Sequence, residues 1–365
     1  MKDIKELREE INKIDSDMAE LFTRRMDIVN QIALYKKERG LAIYDENREK
    51  EIIRNNLSLI KDEKIKEYYL SFFKSVLKES KRYQEYLTSG LKVGYSGIPG
   101  AFSHIASMKM YPHATYVSYP DFESAYKACQ EGEIDIVILP IENSFAGEVG
   151  AVMDLIFQGD LFINQMLDLE ITQNLLGVKG SSLNTIKKVI SHPQALSQSK
   201  DFLLKHNFEL IEAANTSLAA KEVKEKNDPS IAAVGSEEVA ELFGLEVISR
   251  NINSKNNNTT RFASLSRIER IPSAETKMGE HFLLMYTVKN QAGALAQSLN
   301  IIGAHSFNMR TLRSRPMKDL MWNYYFFVEI EGNINSRDGR DVLVELKTVC
   351  DRLKVVGTYY DFKEK

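Results

Sequence analysis

Two groups of residues in this sequence have the types and spacing to do chemistry. The first is a cation where an apolar residue belongs. Ile4, Leu7, Ile11, Ile14, Met18, Leu21, Ile28 and Ile32 follow an alternating three-four spacing, and the missing member of that series is Arg25. A guanidinium buried without a counter-charge is costly. Arg25 therefore either snorkels, pairs with a glutamate of a neighbouring helix, or lines a pocket for an anion. Lys36 falls on about the same helix face, roughly 16 Å further along, so an anion gripped between the two cations is one reading. The second group is the stretch NNNTTRFASL, residues 256–265, in which turn-forming asparagines run into two hydroxyls and Arg261 just before an apolar strand. A hydroxyl at such a junction can donate a hydrogen bond to a departing oxygen. Arg261 suits either a carboxylate clamp or a structural ion pair.

Smaller polar clusters accompany these two. GYSGIPGAFSHIA places glycines before Ser103, read as a helix N-cap whose neighbouring N–H groups face an anion. Its glycines at 94, 97 and 100 give GxxGxxG, which is not a dinucleotide fingerprint. VILPIENSFAG ends an apolar strand with Glu142, Asn143 and Ser144; SHPQALSQS, containing Gln194, follows KKVI; NTSLAAKEV follows ELIEAA. One such cluster reads as capping or turn chemistry. Several at the carboxyl ends of strands indicate a ligand cleft. Asp45, Arg48 and Glu49 share one helix face by spacing, as do Ser80 and Gln84.

Three regions must position these residues. Residues 1–88 are helical in pattern, with a first helix ending at Gly40, a second starting near Asp45 and a third from about Asp62 to Leu87. Four heptads of apolar seam cannot be buried by three helices alone, so this region is expected to dimerise. TSGLK breaks the pattern, and residues 91–268 alternate short strands with helices. The strands KVGYSG, ATYVSY, DIVILPI, KKVISH, FELIEA, SIAAVG and LEVIS predict α/β structure with a largely parallel sheet in two lobes. After the polar linker RIERIPSAETKMGE, residues 280–365 read βαββαβ, the split ferredoxin-like unit, with its second helix spanning RDVLVELKTVCDRL.

Composition narrows the function. The 365 residues imply two or three domains; 43% are hydrophobic and 27% charged, as in soluble globular proteins. A net charge of −3 offers no basic surface for nucleic acid or an acidic membrane, so anionic partners are small and met by local cations. Cys129 and Cys350 alone exclude a disulfide framework and suit a reducing compartment. MKDIKELREE has no apolar core of a signal peptide, and no run is long enough to span a bilayer, so a cytoplasmic protein is expected. No metal or nucleotide motif is present, and no cofactor is expected.

The helical positions taken together resemble the all-helical chorismate mutases. The matching pattern runs Arg8, Arg25, Lys36, then D-x-x-R-E as Asp45, Arg48 and Glu49, then S-x-x-x-Q as Ser80 and Gln84. The resemblance implies a Claisen rearrangement of chorismate to prephenate. Arg25 and Arg8 would take the carboxylates, Arg8 from the partner subunit. Lys36 and Gln84 would face the ether oxygen, and Glu49 and Asp45 the ring hydroxyl, with Arg48 and Ser80 supporting. The central clusters resemble prephenate dehydratases through G-x-P-G-A-F-S (97–103), P-I-E-N-S (140–144), S-H-P-Q-A-L (191–196) and N-x-T-R-F (258–262). That resemblance implies a periplasmic-binding-protein-like pair of lobes and loss of carbon dioxide and water from prephenate. Thr260 would be catalytic, and Ser103, Asn143, Ser144, Gln194 and Arg261 candidate substrate binders. Gln173 stands where relatives commonly carry histidine. The C-terminal unit resembles an ACT domain, with G-A-L intact at Gly293, Ala294 and Leu295, and Asn308 in FNM. Its second motif reads RSRP: Ser314, Arg315 and Pro316 match, but Arg313 replaces the family glutamate. Phenylalanine binding as feedback is implied, as is a homodimer or higher homo-oligomer. An arogenate-preferring dehydratase and an amino-acid-responsive binding protein with vestigial pockets remain alternative readings.

Overall fold

The computed structural model describes residues 3–145, 147–254, 258–272, 280–317 and 323–360. Of the opening motif, Asn256 and Asn257 lie outside the described residues. Contacts divide the chain into two units, Met1–Lys92 and Val93–Lys365.

The first unit is helical. Helix α1, Ile4–Arg39, starts with a capping box at Asp3 and Glu6 and stops at Gly40, which adopts the left-handed conformation at φ 63°. Helix α2 spans Glu46–Leu59 behind the N-cap Asp45, and α3 spans Glu63–Ser89 behind Asp62. Val29 and Ala33 of α1 and Leu77, Ser80 and Gln84 of α3 are buried. The heptad seam is not: Ile4, Leu7, Ile11, Ile14, Met18, Leu21, Ile28 and Ile32 are 42–61% exposed in the single chain.

The second unit takes all but the first residue of β1 (Lys92–Ser96), then α4 (Phe102–Met110), β2 (Thr115–Tyr119), α5 (Phe122–Glu131), β3 (Ile136–Asn143), β4 (Gly147–Glu148), α6 (Gly150–Gln158) and β5 (Phe162–Glu170). The chain then crosses to a second lobe: β6 (Asn174–Gly177), β7 (Lys188–Ser191), α7 (Pro193–Gln198), α8 (Lys200–Lys205), β8 (Glu209–Glu212), α9 (Thr216–Lys226), β9 (Ile231–Gly235), α10 (Glu237–Phe243) and β10 (Glu246–Ser249). It returns through β11 (Thr259–Ser266). The C-terminal elements are β12 (Glu280–Val288), α11 (Ala294–Ala304), β13 (Asn308–Pro316), β14 (Tyr324–Glu331), α12 (Arg337–Val349) and β15 (Cys350–Tyr360), in βαββαβ order.

The sheets are mixed, not largely parallel. In the second lobe the order is β10-β6-β9-β7-β8, with β7 parallel to β8 and β9 while β6 runs against β9 and β10. In the first lobe β1 and β3 are parallel, but β11 lies antiparallel between β3 and β5, because it re-enters from the other lobe. The C-terminal strands continue that sheet, giving β13-β14-β12-β15-β5-β11-β3-β1-β2. The join is the parallel pairing of Gly357 with Ile163. A Cβ at residue 357 would fall 2.0 Å from the Ile163 carbonyl oxygen, so this approach requires glycine. Strand β15 also absorbs Cys350–Leu353, which the periodicity assigned to the last helix; α12 ends at Val349 so that β15 can pair along β12.

Candidate functional sites

In the helical unit, Arg25 is half-buried on α1 and donates from Nη1 to Ser80 Oγ on α3. Ser80 in turn donates to Val76 O at 2.7 Å. Desolvation by burial lowers the Arg25 pKa from its ordinary value. Among the described residues it has no carboxylate partner, so a half-buried cation is held by one neutral hydroxyl. Gln84, one turn beyond Ser80, is 8% exposed, and its Oε1 has no hydrogen-bond partner. Lys36 Nζ donates to Ile43 O at 2.5 Å. Glu49 pairs with Lys81 at 2.8 Å, joining α2 to α3. Asp45 accepts from Arg48 N at 3.0 Å as the cap of α2, and the Arg48 side chain pairs with Glu51 at 2.8 Å. Arg8 is exposed. The single chain thus brings Arg25, Ser80 and Gln84 together, whereas Asp45 and Arg48 serve local roles and Arg8 touches none of the others.

In the second unit, a cleft of about 270 Å³ is lined by Phe102 and Asn143, by Ile171 and Gln173 at the crossing, by His192, Gln194, Ala195, Gln198, Asn215 and Thr216 of the second lobe, and by Asn258 and Thr260. The lobes approach closely at its lip: a Cβ on Gly100, at φ 87°, would lie 2.6 Å from Ser217 Oγ. Asn143 holds one wall. Its Nδ2 donates to Asn258 Oδ1 at 2.8 Å and to Thr260 Oγ1 at 2.9 Å, and its Oδ1 accepts from Phe145 N at 3.0 Å. Ser144 pins the same wall, its Oγ accepting from Thr259 N at 3.0 Å and its N donating to Thr259 O at 2.9 Å. Gln173 is 1% exposed, donates from Nε2 to Gln198 Oε1 at 3.2 Å and leaves its own Oε1 without a partner. His192 Nδ1 accepts from Gln194 N at 3.2 Å, which places a neutral ring's proton on Nε2.

Among the described residues this lining contains no lysine or arginine. An anion there meets neutral donors and the positive ends of α4 and α9. A larger hollow of about 660 Å³ opens against residues 167–170 and 236–238; it shares Phe102 with the cleft, but Asn143, Gln194, Asn258 and Thr260 do not line it.

Two expectations need correction. Ser103 is not an N-cap: Ala101 occupies that position, and Ser103 is the second residue of α4, 8% exposed. Gly100 N, expected to face an anion, donates instead to His104 Nδ1 at 3.1 Å; burial lowers the His104 pKa. Arg261 points away from the cleft, because alternate strand residues face opposite sides. It grips Asp168 through Nε at 2.7 Å and Nη2 at 3.0 Å, and its Nη1 reaches Glu329 at 3.2 Å. Sequence reasoning passed over Asn258, Gln198, His192 and Asn215 as site residues. Asn258 had a signal: it lies two residues before Thr260, the spacing that puts extended-chain residues on one side.

In the C-terminal elements, Gly293 caps α11 at φ 83°, Ala294 is buried, and Leu295 packs at the edge of the βαββαβ core. On β13 exposure alternates. Asn308, Ser314 and Pro316 are exposed, whereas Arg313 and Arg315 turn inward. Arg313 pairs with Glu142, and Arg315 reaches Glu148 at 3.5 Å and Asp154 at 3.4 Å. Asn308 Nδ2 donates to Glu331 at 2.8 Å.

These features describe a multidomain protein: a helical module with an anion-ready arginine, then a two-lobed α/β unit closing on a cleft of amides and hydroxyls. Comparison with known proteins places it more closely. The chorismate mutase type II family model matches residues 7–85 and the prephenate dehydratase model residues 93–270. The bifunctional chorismate mutase/prephenate dehydratase of Buchnera aphidicola subsp. Acyrthosiphon pisum is 31% identical over 96% of this chain and 95% of its own. The chain belongs to the bifunctional chorismate mutase/prephenate dehydratase family. Among solved structures, the prephenate dehydratase of Arthrobacter aurescens in complex with L-Phe covers 75% of this chain and 92% of its own, with TM-score 0.67 and 25% identity. A quorum-quenching acylase, GqqA, covers 74% of this chain and 98% of its own, with TM-score 0.68 and 28% identity. One fold thus carries more than one chemistry, and function is argued from the site.

Proposed function

We propose that this protein converts chorismate to prephenate in its helical unit and prephenate to phenylpyruvate in the interlobe cleft, under feedback by phenylalanine. The observation that carries the reading is the wall on which Asn143 joins Asn258 and Thr260 inside the cleft.

In the mutase step one C–O bond breaks and one C–C bond forms within a single molecule. The protein has only to hold the compact conformer and stabilise charge on the ether oxygen. Arg25, bound to Ser80 through one nitrogen, keeps its other N–H groups for a carboxylate. Gln84 and Lys36 serve the ether oxygen, and Glu49 and Asp45 the ring hydroxyl, with Arg48 supporting. The exposed seam of α1 is the dimer interface, and Arg8 enters the partner subunit's pocket.

In the dehydratase step the ring carboxylate leaves as carbon dioxide and its bonding electrons enter the ring. The ring C–O bond breaks, and the hydroxyl takes a proton and departs as water. Thr260 is the group that hydrogen-bonds that hydroxyl and relays the proton from solvent. Gln194 and Asn143 line the substrate, Ser144 fixes the wall, and Ser103 supports α4. Residues 280–365 form an ACT-type module in which Gly293, Ala294, Leu295, Asn308, Ser314 and Pro316 mark the phenylalanine site, while Arg315, expected with them, turns inward to Glu148 and Asp154.

The test is to supply chorismate to the purified chain and follow prephenate, then phenylpyruvate, by chromatography, with arogenate as a parallel substrate. Transient prephenate followed by stoichiometric phenylpyruvate is expected. A folded protein that leaves chorismate and prephenate untouched refutes the reading.

A further inference from the structure

The wall of the dehydratase cleft has a fixed hydrogen-bond polarity, and it leaves one buried donor unused. A backbone N–H can only donate, so the bond from Phe145 N identifies the oxygen end of the Asn143 amide. The nitrogen end therefore donates to Asn258 Oδ1 at 2.8 Å and Thr260 Oγ1 at 2.9 Å, its two short bonds, with Thr259 O further off at 3.4 Å. Two consequences follow. Thr260 has accepted a hydrogen bond, so its own O–H is available to donate. Asn258 has its oxygen turned to Asn143, so its Nδ2 faces the other way. Asn258 is 2% exposed, its Nδ2 has no hydrogen-bond partner, and it lines the same cleft as Thr260. A buried N–H group without an acceptor is disfavoured in a folded protein and marks a place for a ligand atom.

We propose that Asn258 is a substrate-binding residue whose amide N–H donates to a carboxylate of the dehydratase substrate. This rests on the dehydratase reading above. Of the two carboxylates of prephenate, the ring carboxylate must surrender its charge as carbon dioxide forms, and a donor on it would stabilise the ground state and slow the reaction. The side-chain carboxylate keeps its charge throughout, so a donor there binds ground and transition states alike. Asn258 therefore anchors the side-chain carboxylate, and it does so with a neutral amide in a lining that offers no lysine or arginine among the described residues. Its loss acts on KM and leaves kcat nearly unchanged, the reverse of the loss expected at Thr260.

Asn258→Asp is the discriminating variant. It keeps an oxygen for Asn143 Nδ2 and replaces only the free N–H₂ with a second acceptor. In the full-length chain the KM for prephenate should rise about 10- to 100-fold at neutral pH with kcat within about threefold of wild type, from the loss of one charge-assisted bond and the added repulsion. As pH falls and the introduced carboxyl gains a proton it becomes a donor again, so the KM of Asn258→Asp should return towards wild type, after subtraction of the uncatalysed acid reaction. Asn258→Ala should show the raised KM without that recovery. An unchanged KM in Asn258→Asp, or a fall in kcat alone with no recovery at low pH, overturns the proposal while the wild-type activity leaves the dehydratase reading standing. Wild-type protein that does not turn over prephenate removes both. If Asn258→Asp does not fold, Asn258→Ser, which keeps a small donor, decides the matter: a KM between those of wild type and Asn258→Ala supports the anchor, and one equal to Asn258→Ala refutes it.

Discussion

Arg261 follows Thr260, the threonine proposed to serve the dehydratase step, yet its three guanidinium nitrogens contact carboxylates of the protein itself. Glu329, on β14, has a side chain only 2% exposed, whereas Asp168 is 54% exposed. The two pairs therefore differ in worth. Removing the cation partner of a buried carboxylate costs roughly 3–5 kcal/mol. Glu329 retains the Tyr359 hydroxyl, Thr311 Oγ1 at 3.3 Å and Arg310 at 3.6 Å, so for Arg261→Met the loss should be nearer about 2–3 kcal/mol. That corresponds to a fall in melting temperature of roughly 5–10 °C for a unit of this size. Asp168→Asn breaks a largely solvated pair and should cost under about 1 kcal/mol. Combining Arg261→Met with Glu329→Gln removes both charges, and the cycle should return a coupling of about 1–3 kcal/mol. Melting curves of wild type, Arg261→Met, Glu329→Gln, their double variant and Asp168→Asn, with dehydratase KM measured on each, test this. If Arg261→Met melts like wild type but raises KM tenfold or more, Arg261 is a substrate clamp and the structural assignment is wrong.

Three further outcomes are expected. Arg25→Ala should abolish mutase turnover while sedimentation still shows the proposed dimer, and wild-type rates would end the assignment of the helical site. Thr260→Ala should lower dehydratase kcat about 100-fold or more with little change in KM, as single-donor deletions in other enzymes do; an unaltered kcat would remove Thr260 from the chemistry. Arg313→Glu installs the glutamate that the motif resemblance implies but sets two carboxylates together, since Arg313 pairs with Glu142. It should weaken the second unit by about 1 kcal/mol and shift the phenylalanine concentration for half-inhibition severalfold, measured by inhibition curves and calorimetry on the full chain, and identical curves would refute it.

How much of this was legible in the sequence depended on how local the cause was. The helical seam, the caps Asp45 and Asp62 and the stop at Gly40 are set by spacing and single residues, and the structure has helices where the pattern put them. Strands β5 and β6 went unread. LFINQMLDLE mixes polar and apolar residues because β5 lies between two neighbours, bears Asp168 for the pair with Arg261, and loses its two-residue alternation at a register shift against β11. Strand direction was equally hidden: β11 runs antiparallel because the chain has visited another lobe, which no local pattern records. The site shows the same division. Thr260, Asn143 and Gln194 could be placed in one cleft from motifs at strand ends, but Asp168 and Glu329, 93 and 68 residues from Arg261, could not be named as its partners.

Arg313 shows why that matters for the family motif. Read along the sequence, replacing glutamate with arginine reverses the charge beside an expected amino-acid ligand. In the folded chain the alternation of β13 turns residue 313 inward, away from the exposed Asn308, Ser314 and Pro316, and its partner is Glu142 at the end of β3. The altered letter is thus balanced from across the sheet, one residue before Asn143, which holds Thr260. Arg313 and Arg315 on β13 and Glu329 on β14 each pair with a residue of β3, β4, α6 or β11, the elements that carry or adjoin the cleft wall. A charge change at residue 313 is therefore felt first at that wall through Glu142, not on the exposed face of β13. That is the physical ground for expecting Arg313→Glu to alter the stability of the unit as well as the response to phenylalanine.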